Sequence, residues 1–159
     1  MVDIVASRIA HLVFAALWAG SVFYVALVVL PLARDGAFNS TKPLEVISGK
    51  LTTISRVSSL VLFVTGSHLA GVLYTVGDDG PHLFYSINGQ LVLAMIALWL
   101  ILTALVEIGA KRFEAGLNGK KLREPAHDAL PIFQAAAVAA VALLVVAGLI
   151  TSGAAVRFF

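Results

Sequence analysis

Two histidines and a methionine lie in separate, strongly apolar runs of this sequence. His11 is in the first run, His68 in the second and Met95 in the third. An ionisable side chain is costly to bury in a bilayer, so it marks a candidate functional position. Imidazole nitrogen and thioether sulfur suit copper, and His/His or His/Met pairs also hold haem iron. These residues therefore predict a metal or haem site, with packed, hydrogen-bonded core histidines as the alternative.

The elements that position these side chains are predicted to be membrane-spanning helices. The chain has 159 residues, of which 60% are hydrophobic and 13% charged, with a mean hydropathy of +0.97. Soluble domains are about 45–50% apolar and about 25% charged. Because about 20 apolar residues cross a bilayer as a helix, we predict spans at about 9–33, 54–77, 83–110 and 129–156. The predicted class is all-α: one polytopic membrane domain, 1–159, folded as an antiparallel four-helix bundle.

The basic residues predict the orientation of the bundle. Most of the eleven Lys and Arg residues lie in or beside the first and third loops: Arg34, Lys42, Lys50, Arg56, Lys111, Arg112, Lys120, Lys121 and Arg123. The second loop has Asp78 and Asp79 and no basic residue. Because cytoplasmic loops are rich in Lys and Arg, this bias predicts both termini outside a multi-pass cytoplasmic membrane protein.

In this orientation the candidate ligands fall in the outer half of the membrane. His11 is near the outer end of its span, and His68 is about eight residues, or ~12 Å, from the outer end of the next. Met95 lies at a similar depth in the third span. His82 is in the outer loop, either as a solvated residue or as an entry ligand for a cation.

Further sequence signals predict details of the bundle. A short surface helix is predicted to follow an N-cap at Asn39–Thr41, and 111–128 is predicted to be a loop before a span that opens at Pro131. Glu107 is expected near Lys111, its i,i+4 partner. Small-residue pairs that allow close helix contact are Ala16/Gly20, Gly66/Ala70 and Gly148/Ser152.

Several classes of function are excluded or disfavoured by the same residues. There is no cysteine, so disulfides and thiolate sites are excluded. No nucleophile–base pair, paired catalytic carboxylates or phosphate loop is apparent, so an enzyme is not predicted unless haem gives a redox role. The sequence has no basic stripe with interleaved aromatic residues, so nucleic-acid binding is not predicted. The first run exceeds the ~7–15 residues of a signal-peptide core, so it is expected to be retained.

The motifs resemble those of the copper-resistance D (CopD-like) membrane family. His11-x6-Trp18-x-Gly20 followed by an apolar run to Pro31 resembles its H-x6-W-x-G opening, and Ile54–Gly66 resembles its R-x-S…V-T-G segment. Gly89–Met95 resembles its G-R-L-L-L-x-K segment, and Leu143–Ser152 its V-x-A-G-L-x-T-S ending.

The first span is also similar to that of the membrane protoporphyrinogen oxidases, a related small four-helix family. The shared residues are Trp18-Ala-Gly20 and Phe23-Tyr24. That family uses the histidine equivalent to His11 as a haem ligand. Both families tend to have a lysine where this chain has Met95.

The resemblance implies copper binding or transport. The residue types and depths predict that this takes place at an outer-half site of His11, His68 and Met95, with His82 as a further metal ligand. The alternatives are a b-type haem protein for electron transfer, with bis-His or His/Met ligands, and a non-catalytic membrane subunit. Expected partners are the lipid bilayer, an extracytoplasmic copper or redox protein, and a second copy of the chain.

Overall fold

The chain is built from long helices joined by short connections. A computed structural model describes residues 2–74, 83–119 and 122–152. The helices are α1 Val2–Tyr24, a π-helical segment Val25–Val29, α2 Leu30–Arg34, α3 Lys42–Leu73, α4 Ile87–Asn118 and α5 Arg123–Ser152. The described residues contain no strand, which confirms the predicted all-α class.

Four helical stretches are long and apolar enough to cross a membrane. They are Val2–Arg34, Lys42–Leu73, Ile87–Asn118 and Arg123–Ser152. The first combines α1, the π segment and α2. This number of candidate spans agrees with the sequence prediction.

The bundle places α1 and α4 at diagonal corners. Helix α1 packs against α3 and α5, and α4 packs against the same two helices. Contacts of His11 with Thr65 and of Trp18 with Ser55 show that α1 and α3 are antiparallel.

Side-chain packing differs between the two halves of the bundle. The tightly packed half comprises residues 18–33, 44–62, 102–117 and 125–140, and it contains nearly all the buried side chains, including Trp18, Leu44, Val106 and Phe133. In the loosely packed half, residues 2–17, 63–73, 87–101 and 141–152, only Thr65 and Gly89 are buried. The helices therefore bury little against each other at the end that contains His11.

Three predicted boundaries are wrong. The expected surface helix is the start of α3, because Leu44, Ser48 and Leu51 continue a buried helical face. Most of the loop predicted at 111–128 is helical, since Phe113 and Leu117 extend the buried face of α4. Pro131 lies inside α5 rather than in its first turn.

The early start of α5 has a tertiary cause. Pro125, Ala126 and Ala129 are buried against the bundle, and their packing extends the helix ahead of Pro131. The Pro131 ring itself lies on the exposed face.

Proline and glycine shape the end of the first span. Pro31 has no N–H to donate to the carbonyl four residues earlier, so the helix widens into the π segment just before it. Gly36 then adopts φ +86°, and Ala37 N–H donates to Leu32 O, which ends the helix in a Schellman turn. In this turn a hydrogen bond from Arg34 lowers the pKa of Asp35.

Candidate functional site

The His11 imidazole is held by a two-step hydrogen-bond relay. His11 Nδ1 lies 2.8 Å from Thr65 Oγ1, and Thr65 Oγ1 donates to Val61 O at 2.7 Å. A hydroxyl has one hydrogen, and here it is used on the Val61 carbonyl. We therefore assign the proton of the neutral imidazole to Nδ1, donating to Thr65, and the lone pair to Nε2. A histidine that binds a metal through Nε2 has this tautomer.

Gly66 lets the imidazole lie close to α3. A Cβ at position 66 would be 3.3 Å from His11 Cε1, which is tighter than ordinary van der Waals contact. Of the predicted Gly66/Ala70 pair, Gly66 is thus in a close contact, but its neighbour is the His11 ring and not the backbone of another helix. The glycines of the other two predicted pairs, Gly20 and Gly148, are not in close contact with another helix, because a Cβ atom at either would meet nothing within 4 Å.

His68 lies on the same two-helix seam but has a different partner. Its Nε2 is 3.6 Å from Asp3 Oδ2, and its side chain is 40% exposed. Asp3 was not among the predicted site residues. The signal that could have found it is its place about two turns before His11, level with the C-terminal end of the antiparallel α3.

Met95 and His11 lie on helices at diagonal corners of the bundle. It lies on α4 and is half-buried, while His11 is on α1. The antiparallel pairs Arg56–Glu107, Ser59–Thr103 and Phe63–Trp99 set the α3–α4 register. Continued by about one turn, this register places Met95 level with His68.

The two described histidines of the predicted site have different partners, Thr65 for His11 and Asp3 for His68. Within residues 2–74, 83–119 and 122–152 no group of three or more His, Asp or Glu side chains is arranged to hold a metal ion. His82 lies outside the described residues. What the described part of the chain provides is His11 with its Nε2 lone pair and, on the same seam, the His68–Asp3 pair.

Of the remaining polar candidates, Glu107, His127 and Trp18 have structural partners. Glu107, expected near Lys111, accepts hydrogen bonds from Arg56 Nε at 2.7 Å and Nη2 at 2.9 Å. His127 pairs with Asp128 at 3.2 Å on the exposed start of α5. Gln134 is exposed. Trp18 is 1% exposed and donates to Ser55 Oγ at 2.9 Å, which makes it a core residue of the helix seam.

Comparisons with family models, with curated proteins and with solved structures gave no match to this chain.

Proposed function

We propose that the chain is a CopD-like, multi-pass protein of the cytoplasmic membrane that binds or transports copper through His11. In this proposal both termini and the loosely packed half face outward. The observation that carries it is the relay from His11 Nδ1 through Thr65 to Val61 O, which leaves Nε2 as a free nitrogen ligand.

The donor set fits a copper ion. His11 and His68 supply imidazole nitrogens from adjacent helices, and Asp3 adds a carboxylate beside His68. Met95, at the level of His68, would supply a thioether. Nitrogen and thioether sulfur are ligands that copper accepts. The role of Thr65 is to fix the imidazole, and that of Gly66 is to give it room.

Haem b is the second candidate, and one observation favours it. An axial haem ligand needs a single imidazole nitrogen, with the other nitrogen hydrogen-bonded, and His11 already has this arrangement. His11 would be one axial ligand and His68 or Met95 the other. Bound haem would give the protein a redox couple for electron transfer.

A metal analysis of the purified protein distinguishes the candidates. In detergent, a Soret band with sharp α/β bands on reduction supports haem, and stoichiometric copper without a chromophore supports copper. We expect His11→Ala to abolish binding of the group that is found, and His68→Ala to weaken it. His127→Ala is the control, because His127 is exposed in the other half of the bundle. If neither group binds, or if His11→Ala binds like the unchanged protein, the proposal is wrong.

The role of Thr65 as a positioning residue gives a second test. Thr65→Val keeps the shape of the side chain but removes the acceptor of Nδ1–H, so we expect metal affinity to fall by about 10–100-fold. Thr65→Ser keeps the hydroxyl and should bind like the unchanged protein. A spectroscopic titration of each variant measures this. Equal affinity of the valine and serine variants would show that the relay does not support the ligand.

A further inference from the structure

A groove of about 320 Å³ runs along the seam between α3 and α4, in a different part of the bundle from His11. Three pairs of side chains cross it at successive levels. They are the ion pair Arg56–Glu107, the hydroxyl pair Ser59–Thr103 and the stacked rings Phe63–Trp99, whose centroids are 5.6 Å apart.

The polarity of the groove changes along its length as that of a phospholipid does. Its charged end is Arg56–Glu107, and its other end, about seven residues or ~10 Å away, is aromatic. Leu60 and Phe63 on its wall are 64% and 57% exposed, so they face the surroundings of the bundle. Between two membrane-spanning helices those surroundings are lipid chains, with headgroups at the Arg56 end.

The exposed charge at that end is positive. Both oxygens of Glu107 are bonded to Arg56, and the Glu107 side chain is only 24% exposed. Glu114 accepts from Ser48 and is half-buried. Arg56, in contrast, is 64% exposed, and Lys111, one turn after Glu107 on α4, is also exposed. Arg56 uses Nε and Nη2 on Glu107, so Nη1 can donate to a further anion.

We propose that this groove binds one anionic phospholipid, with its phosphate on Arg56 Nη1 and an acyl chain along Leu60, Phe63 and Trp99. The ligand is a lipid rather than a soluble phosphate because the apolar end of the groove, Leu60, Phe63 and Trp99, matches an acyl chain. The site is independent of the metal site and uses none of its residues.

Tryptophan fluorescence reports directly on this site. The chain has two tryptophans: Trp99 lines the groove, and Trp18 is buried and 1% exposed. In nanodiscs of phosphatidylcholine, a small fraction of brominated phosphatidylglycerol should quench fluorescence more than the same fraction of brominated phosphatidylcholine. In Trp99→Phe that difference should vanish. The proposal is overturned if the two lipids quench the unchanged protein equally, or if the difference persists in Trp99→Phe. The first result comes from the unchanged protein, so misfolding of a variant cannot explain it.

A charge variant tests the role of Arg56. The double variant Arg56→Gln/Glu107→Gln removes both charges, so no unpaired carboxylate remains, and it should be quenched equally by both lipids. Lys42→Gln removes one positive charge of α3 outside the groove and should keep the preference. A preference that survives the double variant contradicts the phosphate contact. Loss of the preference on adding glycerol 3-phosphate would show that free phosphate, not lipid, is the ligand.

Discussion

The buried hydroxyl groups of this protein differ in whether they have a partner. The five buried polar side chains of the described residues, Ser48, Ser55, Ser58, Ser59 and Thr65, all lie on α3. Ser55 accepts from Trp18, whereas Ser58 Oγ is buried without a hydrogen-bond partner. The two serines are otherwise alike, at 1% and 0% exposed. They form a matched pair for measuring one interhelical hydrogen bond.

We expect Ser55→Ala to lower the free energy of unfolding by about 1–2 kcal/mol, because it leaves the buried Trp18 N–H unpaired. Ser58→Ala removes an unpaired polar group and should be neutral or stabilising. Unfolding in detergent, followed by circular dichroism, compares the two. If Ser58→Ala is as destabilising as Ser55→Ala, the Trp18–Ser55 bond is not the cause.

At the scale of the helices, two glycines of α4 allow the closest packing of the bundle. A Cβ at Gly116 would overlap the ring of Pro125, and a Cβ at Gly109 would lie 2.9 Å from Phe133 Cε2. The two glycines are seven residues apart, so they share one face of α4. The small-residue pairs predicted from the sequence have their members four positions apart. Gly109 and Gly116 are seven apart, so this pair was not among them. The α4–α5 contact is the most extensive in the bundle.

Gly116→Ala is expected to destabilise the protein by about 1–3 kcal/mol, since the rigid Pro125 ring cannot move aside without shifting the backbone. Gly20→Ala is the matched control. It adds the same methyl group to a helical glycine with nothing within 4 Å, and it should be neutral or stabilising by up to about 1 kcal/mol. Thermal unfolding in detergent measures both. A comparable loss in the two variants would mean that the α4–α5 contact has room for the methyl group.

At the scale of the whole molecule, the proposed orientation depends on charge at the ends of the bundle. The turn at 35–41, the end of α4 at Gly119 and the start of α5 after Leu122 are at the tightly packed end, and residues 83–86 are at the other. Basic residues flank the tightly packed end, including Arg34, Lys42 and Arg123. From this bias the positive-inside rule predicts that the tightly packed end is cytoplasmic and that His11 lies towards the outside.

Labelling of single cysteines tests this orientation, because the chain has no cysteine of its own. We expect Tyr85→Cys to react with a membrane-impermeant maleimide in intact cells, since Tyr85 is 85% exposed in the outer connection. Asn39→Cys should react only after the cells are opened. The reverse pattern would place His11 on the cytoplasmic side, and reaction of both in intact cells would exclude the four-span topology.

The sequence alone determined the helical class and the number of candidate spans, because apolar runs of membrane length allow few other structures. It also singled out His11, since an ionisable residue in such a run is conspicuous. The helix start at Lys42 was predicted, but not its continuation into the second span, and the helix ends at 118 and 123 were missed. The reason is that hydropathy marks where a chain meets lipid and not where a helix stops. The amphipathic turns around Leu44, Leu117 and Ala126 are stabilised by packing on the bundle.

The partners of each side chain were decided only by the tertiary structure. Thr65 next to His11, Asp3 next to His68 and Arg56 next to Glu107 are pairs between residues about 50 or more positions apart, and the register of antiparallel helices sets them. The register between two helices depends on close packing at positions such as Gly109 and Gly116. The periodicity of hydrophobic residues in the sequence does not show where such contacts form. The same packing holds the basic end of the bundle together and leaves His11, with its free Nε2, in the half where the helices bury least.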